Sequence, residues 1–96
     1  MPSSFTSLHY HLIFSTKDRV PFLTPALRER LYPYLGGILR EQRGGLVEIG
    51  GAADHVHLVA WLHPLTAPAD ILRILKANSS KWVHEEIGER AFRWQD

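Results

Sequence analysis

The sequence predicts an α+β fold: a ferredoxin-like sandwich with an antiparallel sheet and both helices on one face. Three observations lead there. Hydrophobic periodicity switches in the order strand, helix, strand, strand, helix, strand onset. The second and third strands are separated by only a few residues, which makes them an antiparallel hairpin. The length of 96 residues suits one domain spanning 1–96, with no repeat, linker or low-complexity segment.

Each element has a local reason. Residues 7–16 read as a strand because Leu8, Tyr10, Leu12 and Phe14 recur with period two, leaving His9, His11, Ile13 and Ser15 on the other face. Lys17-Asp18-Arg19-Val20-Pro21 is a polar, turn-rich loop. The first helix opens at Thr24-Pro25, a capping residue followed by proline at the first helical position. Leu27, Leu31, Tyr34, Leu35 and Ile38 then form a stripe of period 3.6. Pro33 and Gly36-Gly37 weaken it, so the expectation is one helix bent near Pro33 and stopping at Gly44-Gly45. Leu46–Ile49 is a short second strand, Gly50–Asp54 a turn, and His55–Leu62 the third strand. After the connection from Pro64 to Pro68, a second helix runs from about Ala69 to Glu86, with Ile71, Ile74, Leu75, Asn78, Trp82 and Val83 near one face. Gly88 stops it, and Phe92–Gln95 begins a fourth strand.

Composition excludes several classes. With no cysteine there is no disulfide framework, thiolate metal site or cysteine nucleophile. No apolar run approaches the roughly 20 residues of a membrane span, and Met1–Phe5 lacks the basic-then-apolar layout of a signal peptide. A small soluble domain in the cytoplasm, without a membrane partner, is expected. The net charge is +1, unevenly spread. Residues 1–45 hold six basic groups against three acidic ones, and residues 46–96 hold five against seven. A nucleic acid held by bulk charge is therefore excluded; any contact must be local and shaped.

The sharpest local pattern is Asp54-His55-Val56-His57. On a strand, residues two apart share a face, so both imidazoles project to one side roughly 7 Å apart. A histidine pair can meet one divalent ion and leave coordination positions for substrate oxygens. The competing reading is two half-exposed strand histidines without a ligand. Barrel hydrolases that use the same pattern need roughly 250 residues. Finger-type zinc sites need cysteine or a second histidine pair, whereas His84 stands alone.

Several longer strings carry a resemblance across nearly the whole chain. Tyr10-His11-Leu12-Ile13-Phe14-Ser15-Thr16-Lys17 with Arg19, the block Glu48 to Val59 around His55 and His57, Leu75 to Trp82, and Phe92-Arg93-Trp94-Gln95 resemble the single-tyrosine HUH transposases of bacterial insertion sequences, which act on single-stranded DNA. The resemblance implies that His55 and His57 bind a divalent metal ion, Mg or Mn, which polarises the scissile phosphate. It implies a tyrosine that attacks phosphorus, leaving a 5′-phosphotyrosine link and a free 3′-OH. In that family the tyrosine and a third polar ligand lie on a helix after the fourth strand. The chain ends at Asp96, so the expectation is a truncated domain without that helix and unable to cleave.

No other tyrosine replaces it: Tyr10, Tyr32 and Tyr34 fall on core-like faces. Lys17, Arg19, Lys76 and Lys81 are the candidate contacts to single-stranded or hairpin DNA, each in competition with an ordinary solvated role. Lys76 and Lys81, five apart on a helix, point in different directions. His11 could approach the metal site, though a packed or surface histidine is the simpler reading. Trp61 and Trp94 could stack on unpaired bases, while Trp82 belongs to the apolar stripe; His63 and His84 read as surface residues. The family resemblance and an unfinished sheet edge both point to a homodimer. The rival function is a non-catalytic DNA-binding or dimerising module derived from a transposase.

Overall fold

The computed structural model describes residues 8–96. Ser7, expected to open the first strand, and the Met1–Phe5 start lie outside them. Strand β1 is His9–Ser15, helix α1 is Pro25–Glu41, β2 is Gly45–Ala52, β3 is His55–Trp61 and helix α2 is Pro68–Trp82. The sheet order is β1-β3-β2, with both pairings antiparallel. The strand carrying His55 and His57 is thus the central one. Near the C-terminus, Trp94 forms an antiparallel bridge to Thr16. Gln95 N–H donates to the Ser15 carbonyl and Lys17 N–H to that of Arg93. The fourth strand therefore begins against the free edge of β1, as the ferredoxin-like order requires. No helix among the described residues is long and apolar enough to cross a membrane.

Alternation decides which side of the sheet meets the helices. Leu12 and Phe14 of β1 and Val56, Leu58 and Ala60 of β3 are buried, and they join Leu27, Leu31, Leu35, Ile38 and Leu39 of α1 and Ile71 and Leu75 of α2 in one core. Thr24 caps α1, its hydroxyl accepting from Leu27 N–H at 3.2 Å. The helix continues through Pro33 as one element. Pro33 faces solvent, so the carbonyl of Glu29 that it leaves without a partner opens toward water.

Three boundaries differ clearly from expectation. Helix α1 ends at Glu41, and the left-handed residue is Arg43 (φ 66°) rather than either glycine of Gly44-Gly45. Gly50, Gly51 and Ala52 belong to β2, not to a turn, and only Ala53 and Asp54 link the hairpin. Backbone pairing with β3 captures residues whose side chains give no strand signal. Helix α2 ends at Trp82; the chain continues as a wider π-type turn, Val83–Ile87, that closes at Gly88 in the left-handed conformation (φ 86°).

The C-terminal segment is tied in by aromatic packing. Trp94 meets Phe14 edge-on at 4.7 Å and Phe92 at 4.8 Å between ring centroids. Its indole N–H donates to Ser79 Oγ at 3.0 Å, and that buried hydroxyl donates to the Leu75 carbonyl at 2.6 Å. In the sequence Ser79 stands out only as part of the Leu75 to Trp82 string, with nothing to mark it as Trp94's partner. His84, expected at the surface, is half-buried, with Nε2 at 2.7 Å from the Phe92 carbonyl. His63, likewise half-buried, accepts from Leu65 N–H through Nδ1 at 3.1 Å.

Ser79→Ala strands the buried Trp94 indole N–H, which costs about 1–3 kcal/mol. Urea unfolding of the variant should show a lower midpoint with an unchanged slope. An unchanged midpoint would mean that this hydrogen bond does not hold the C-terminal segment.

Candidate metal and phosphate site

Because Val56, Leu58 and Ala60 point into the core, His55, His57, Val59 and Trp61 point to the opposite face. Cross-strand register supplies their neighbours. Ser15 and Ala52 pair with His55, Ile13 and Gly50 pair with His57, and His11 and Glu48 pair with Val59. No described element covers this face; Ile13 is 66% and Trp61 46% exposed. The expected pair is brought together, with ring centroids of His55 and His57 6.2 Å apart.

Each imidazole has its own support. His57 lies beside Gly50, where a β-carbon would stand only 2.9 Å from His57 Nε2. Glycine at that cross-strand position therefore keeps space next to the ring nitrogen. His55 is held differently: its Nδ1–H donates to Asp54 Oδ1 at 3.0 Å, while Arg19 Nε donates to Asp54 Oδ2 at 2.9 Å. Those hydrogen bonds, from His55 first and Arg19 second, hold the Asp54 carboxyl below the usual carboxylate range. In the sequence Asp54 opens the Asp54-His55-Val56-His57 pattern, but it reads as the last turn residue and carries no role of its own. The signal that could have found it is its place directly before the histidine pair at a hairpin turn.

The fit to a divalent ion is partial. Two imidazoles on one open face, one with its Nε2 kept clear by Gly50, make a two-donor site. His11 and Glu48 lie on the same face and, with Ile13, His57 and Val59, line a depression of about 310 Å³. Yet among the described residues no three His, Asp or Glu side chains converge closely enough to hold a metal. His11 does not complete the set. A larger groove, about 680 Å³, lies between α1 and α2 around Tyr34, Ile38 and Asn78. It sits in the helix layer, across the sheet from the histidines, and its ionisable groups Arg40 and Glu41 have no partner in that chemistry.

The basic candidates are dispersed. Lys17 and Arg19 occupy a short 3-10 turn directly after β1, with Arg19 joined to Asp54. Lys76 Nζ is engaged by the Gln95 carbonyl, beside β1, so it anchors the C-terminal segment. Lys81 is exposed near the end of α2. Trp94 is buried, and Trp82 stacks on Tyr34 at 4.7 Å with Arg30 over its ring. Only Trp61 is left as an exposed indole, and it shares the histidine face.

None of the tyrosines stands on that face. Tyr10 points to the core side of β1, and Tyr32 and Tyr34 lie on α1. Burial pushes the phenols of Tyr32 and Tyr34 upward, away from the nucleophilic phenolate.

Comparison with known proteins follows the same outline. The family model described as Transposase IS200 like matches residues 4–96. Transposases for insertion sequence element IS200 from Salmonella typhimurium and Salmonella typhi are each 23% identical over 87 residues, covering 91% of this chain and 57% of theirs. The chain thus spans little more than half the length of these curated relatives. The solved structure of a candidate transposase from Deinococcus radiodurans superposes with a TM-score of 0.88 at 24% identity, covering 99% of this chain and 78% of that one. At that identity the likeness speaks for the fold. The family match takes in nearly every residue, and on that ground the chain belongs to the IS200-like transposase family.

Proposed function

We propose that this chain provides the metal- and phosphate-holding half of a DNA strand-transfer site, acting on single-stranded or hairpin DNA. The observation that carries the reading is the pair His55 and His57, side by side on an open sheet face with space kept beside His57 by Gly50. A divalent ion, Mg or Mn, held there would act as a Lewis acid on a scissile phosphodiester. His55 and His57 contribute the two nitrogens, and the positions they leave suit phosphate and water oxygens. Lys17 and the outer nitrogens of Arg19 stand at the same end of β1 and meet the DNA backbone; Lys76 and Lys81 are secondary contacts. Trp61 offers an indole on which an unpaired base can stack.

The chemistry that this reading implies is a transesterification through a 5′-phosphotyrosine. No tyrosine of the described residues faces the histidines, so these 96 residues should bind DNA without cleaving it. That same observation favours the rival, a non-catalytic DNA-binding or dimerising module. Metal dependence separates the two, because only the first reading needs the histidines.

Two experiments test the proposal. Anisotropy with fluorescent single-stranded and hairpin oligonucleotides should show binding that Mn²⁺ strengthens. His57→Ala should remove that increment, weakening binding in Mn²⁺ by roughly tenfold or more. Binding indifferent to Mn²⁺ and to His57→Ala would select the rival module. A covalent protein–DNA band on a denaturing gel would overturn the claim that these residues lack a nucleophile.

The reading also joins two copies. Strand β2 is an outer strand of the sheet, and its free backbone edge can pair with another chain. Sedimentation velocity should return the mass of a homodimer, twice 11.0 kDa; a monomer at micromolar concentration would contradict it.

A further inference from the structure

We infer that Asp54 and Arg19 are positioning residues that set which ring nitrogen His55 presents to the open face. The inference deepens the reading of His55 and His57 as metal ligands and rests on it for its purpose, though not for its geometry.

An ionised carboxylate only accepts hydrogen bonds. With Asp54 Oδ1 at 3.0 Å, His55 Nδ1 must therefore carry the proton when the ring is neutral. The lone pair is then on Nε2, the nitrogen that Asp54 does not engage. A neutral histidine with its proton on Nε2 could not offer that atom to an ion. Asp54 thus selects the ligating form of the ring before any ion arrives.

Arg19 fixes the carboxylate in turn. Its Nε donates to Oδ2 at 2.9 Å, so each oxygen of Asp54 has one directed partner and the carboxylate cannot rotate away from the ring. The backbone that presents Arg19 is unusual. Asp18 (φ 56°) and Arg19 (φ 57°) are consecutive non-glycine residues in the left-handed region, a strained arrangement that persists only where surrounding contacts enforce it. Those contacts are present. Arg19 N–H donates to the Thr16 carbonyl at 3.1 Å, and Val20 N–H to that of Lys17 at 3.3 Å. The fully buried Thr16 joins the two segments: its hydroxyl donates to the Val20 carbonyl at 2.7 Å and its N–H to the Asp54 carbonyl at 2.9 Å. Gln95 Oε1 accepts from Asp18 N–H at 3.3 Å, which adds the C-terminal segment to the support. The strained turn is held in register with the residue before the histidine pair.

The test reads the proton directly. Ring ¹⁵N spectra of the metal-free 96-residue chain should show the neutral His55 ring with its proton on Nδ1. Asp54→Ala should move His55 toward the Nε2-protonated form, with the His57 ring signals and the backbone amide spectrum as the control for folding. Asp54→Asn, which can still accept through its amide oxygen, should retain the Nδ1 form, and Arg19→Met should give an intermediate mixture. Titration with Mn²⁺ alone should show affinity reduced roughly 10- to 100-fold by Asp54→Ala and restored in part by Asp54→Asn. A His55 proton on Nε2 in the unmodified chain, or a tautomer unmoved by Asp54→Ala in a folded variant, overturns the positioning role. If the tautomer responds as expected but the unmodified chain takes up no Mn²⁺, the positioning role stands and the metal reading fails.

Discussion

The inward alternation of β3 is the constraint on which the rest depends. Val56, Leu58 and Ala60 fill the space beneath α1 and α2, and all three are essentially inaccessible to solvent. Burial of the valine and leucine side chains contributes about 1.5–3 kcal/mol each. A register slip of one residue would turn His55 and His57 into that core and expose the apolar residues. Two imidazoles would then be buried without partners, at a cost of several kcal/mol. Packing therefore fixes the side on which the histidines stand, and antiparallel pairing with β1 and β2 fixes their neighbours. Gly50 beside His57 follows from that pairing as directly as any hydrogen bond.

The open face and the strained turn belong to one arrangement. Trp94 packs against Phe14 and Phe92 against Trp94, while Lys76 and Gln95 tie the same segment to α2 and to the Asp18 amide. These contacts brace the end of β1 from the core side. Thr16, at that end, carries the bracing across to Asp54. Stability is thereby concentrated beneath the site, and the outer surface is left free for a ligand. Exposed Ile13 and Trp61 are not needed by the core, and their presence beside the histidines is consistent with a face that meets another molecule.

Most of the scaffold was legible because periodicity and punctuation are local. The stripe Leu27, Leu31, Leu35, Ile38, the Thr24-Pro25 start and the stop at Gly88 need no knowledge of distant residues. The His55–His57 pair was legible for the same reason: period two on a strand places both on one side. What escaped depends on which strands meet. Gly50 and Gly51 suggest a turn until β3 pairs with them, and Asp54 looks like a turn carboxylate until Arg19 arrives from 35 residues away. Ser79 gains its role from Trp94, His84 from the Phe92 carbonyl, and Lys76 from the Gln95 carbonyl. Arg43 rather than Gly44 takes the left-handed position, although glycine is the usual choice there. Each is a tertiary choice among locally acceptable alternatives.

The central claim is that the outer face of β3 binds a divalent ion through both histidines while DNA is present. Pulsed EPR of Mn²⁺ bound to the chain with a single-stranded oligonucleotide addresses it most directly, because nitrogen couplings report the ligands themselves. The account predicts ¹⁴N couplings from two imidazoles, with one lost in His55→Ala and the other in His57→Ala, alongside ³¹P coupling from the DNA. A spectrum of fully hydrated Mn²⁺ without nitrogen coupling, or couplings that survive both substitutions, would contradict it.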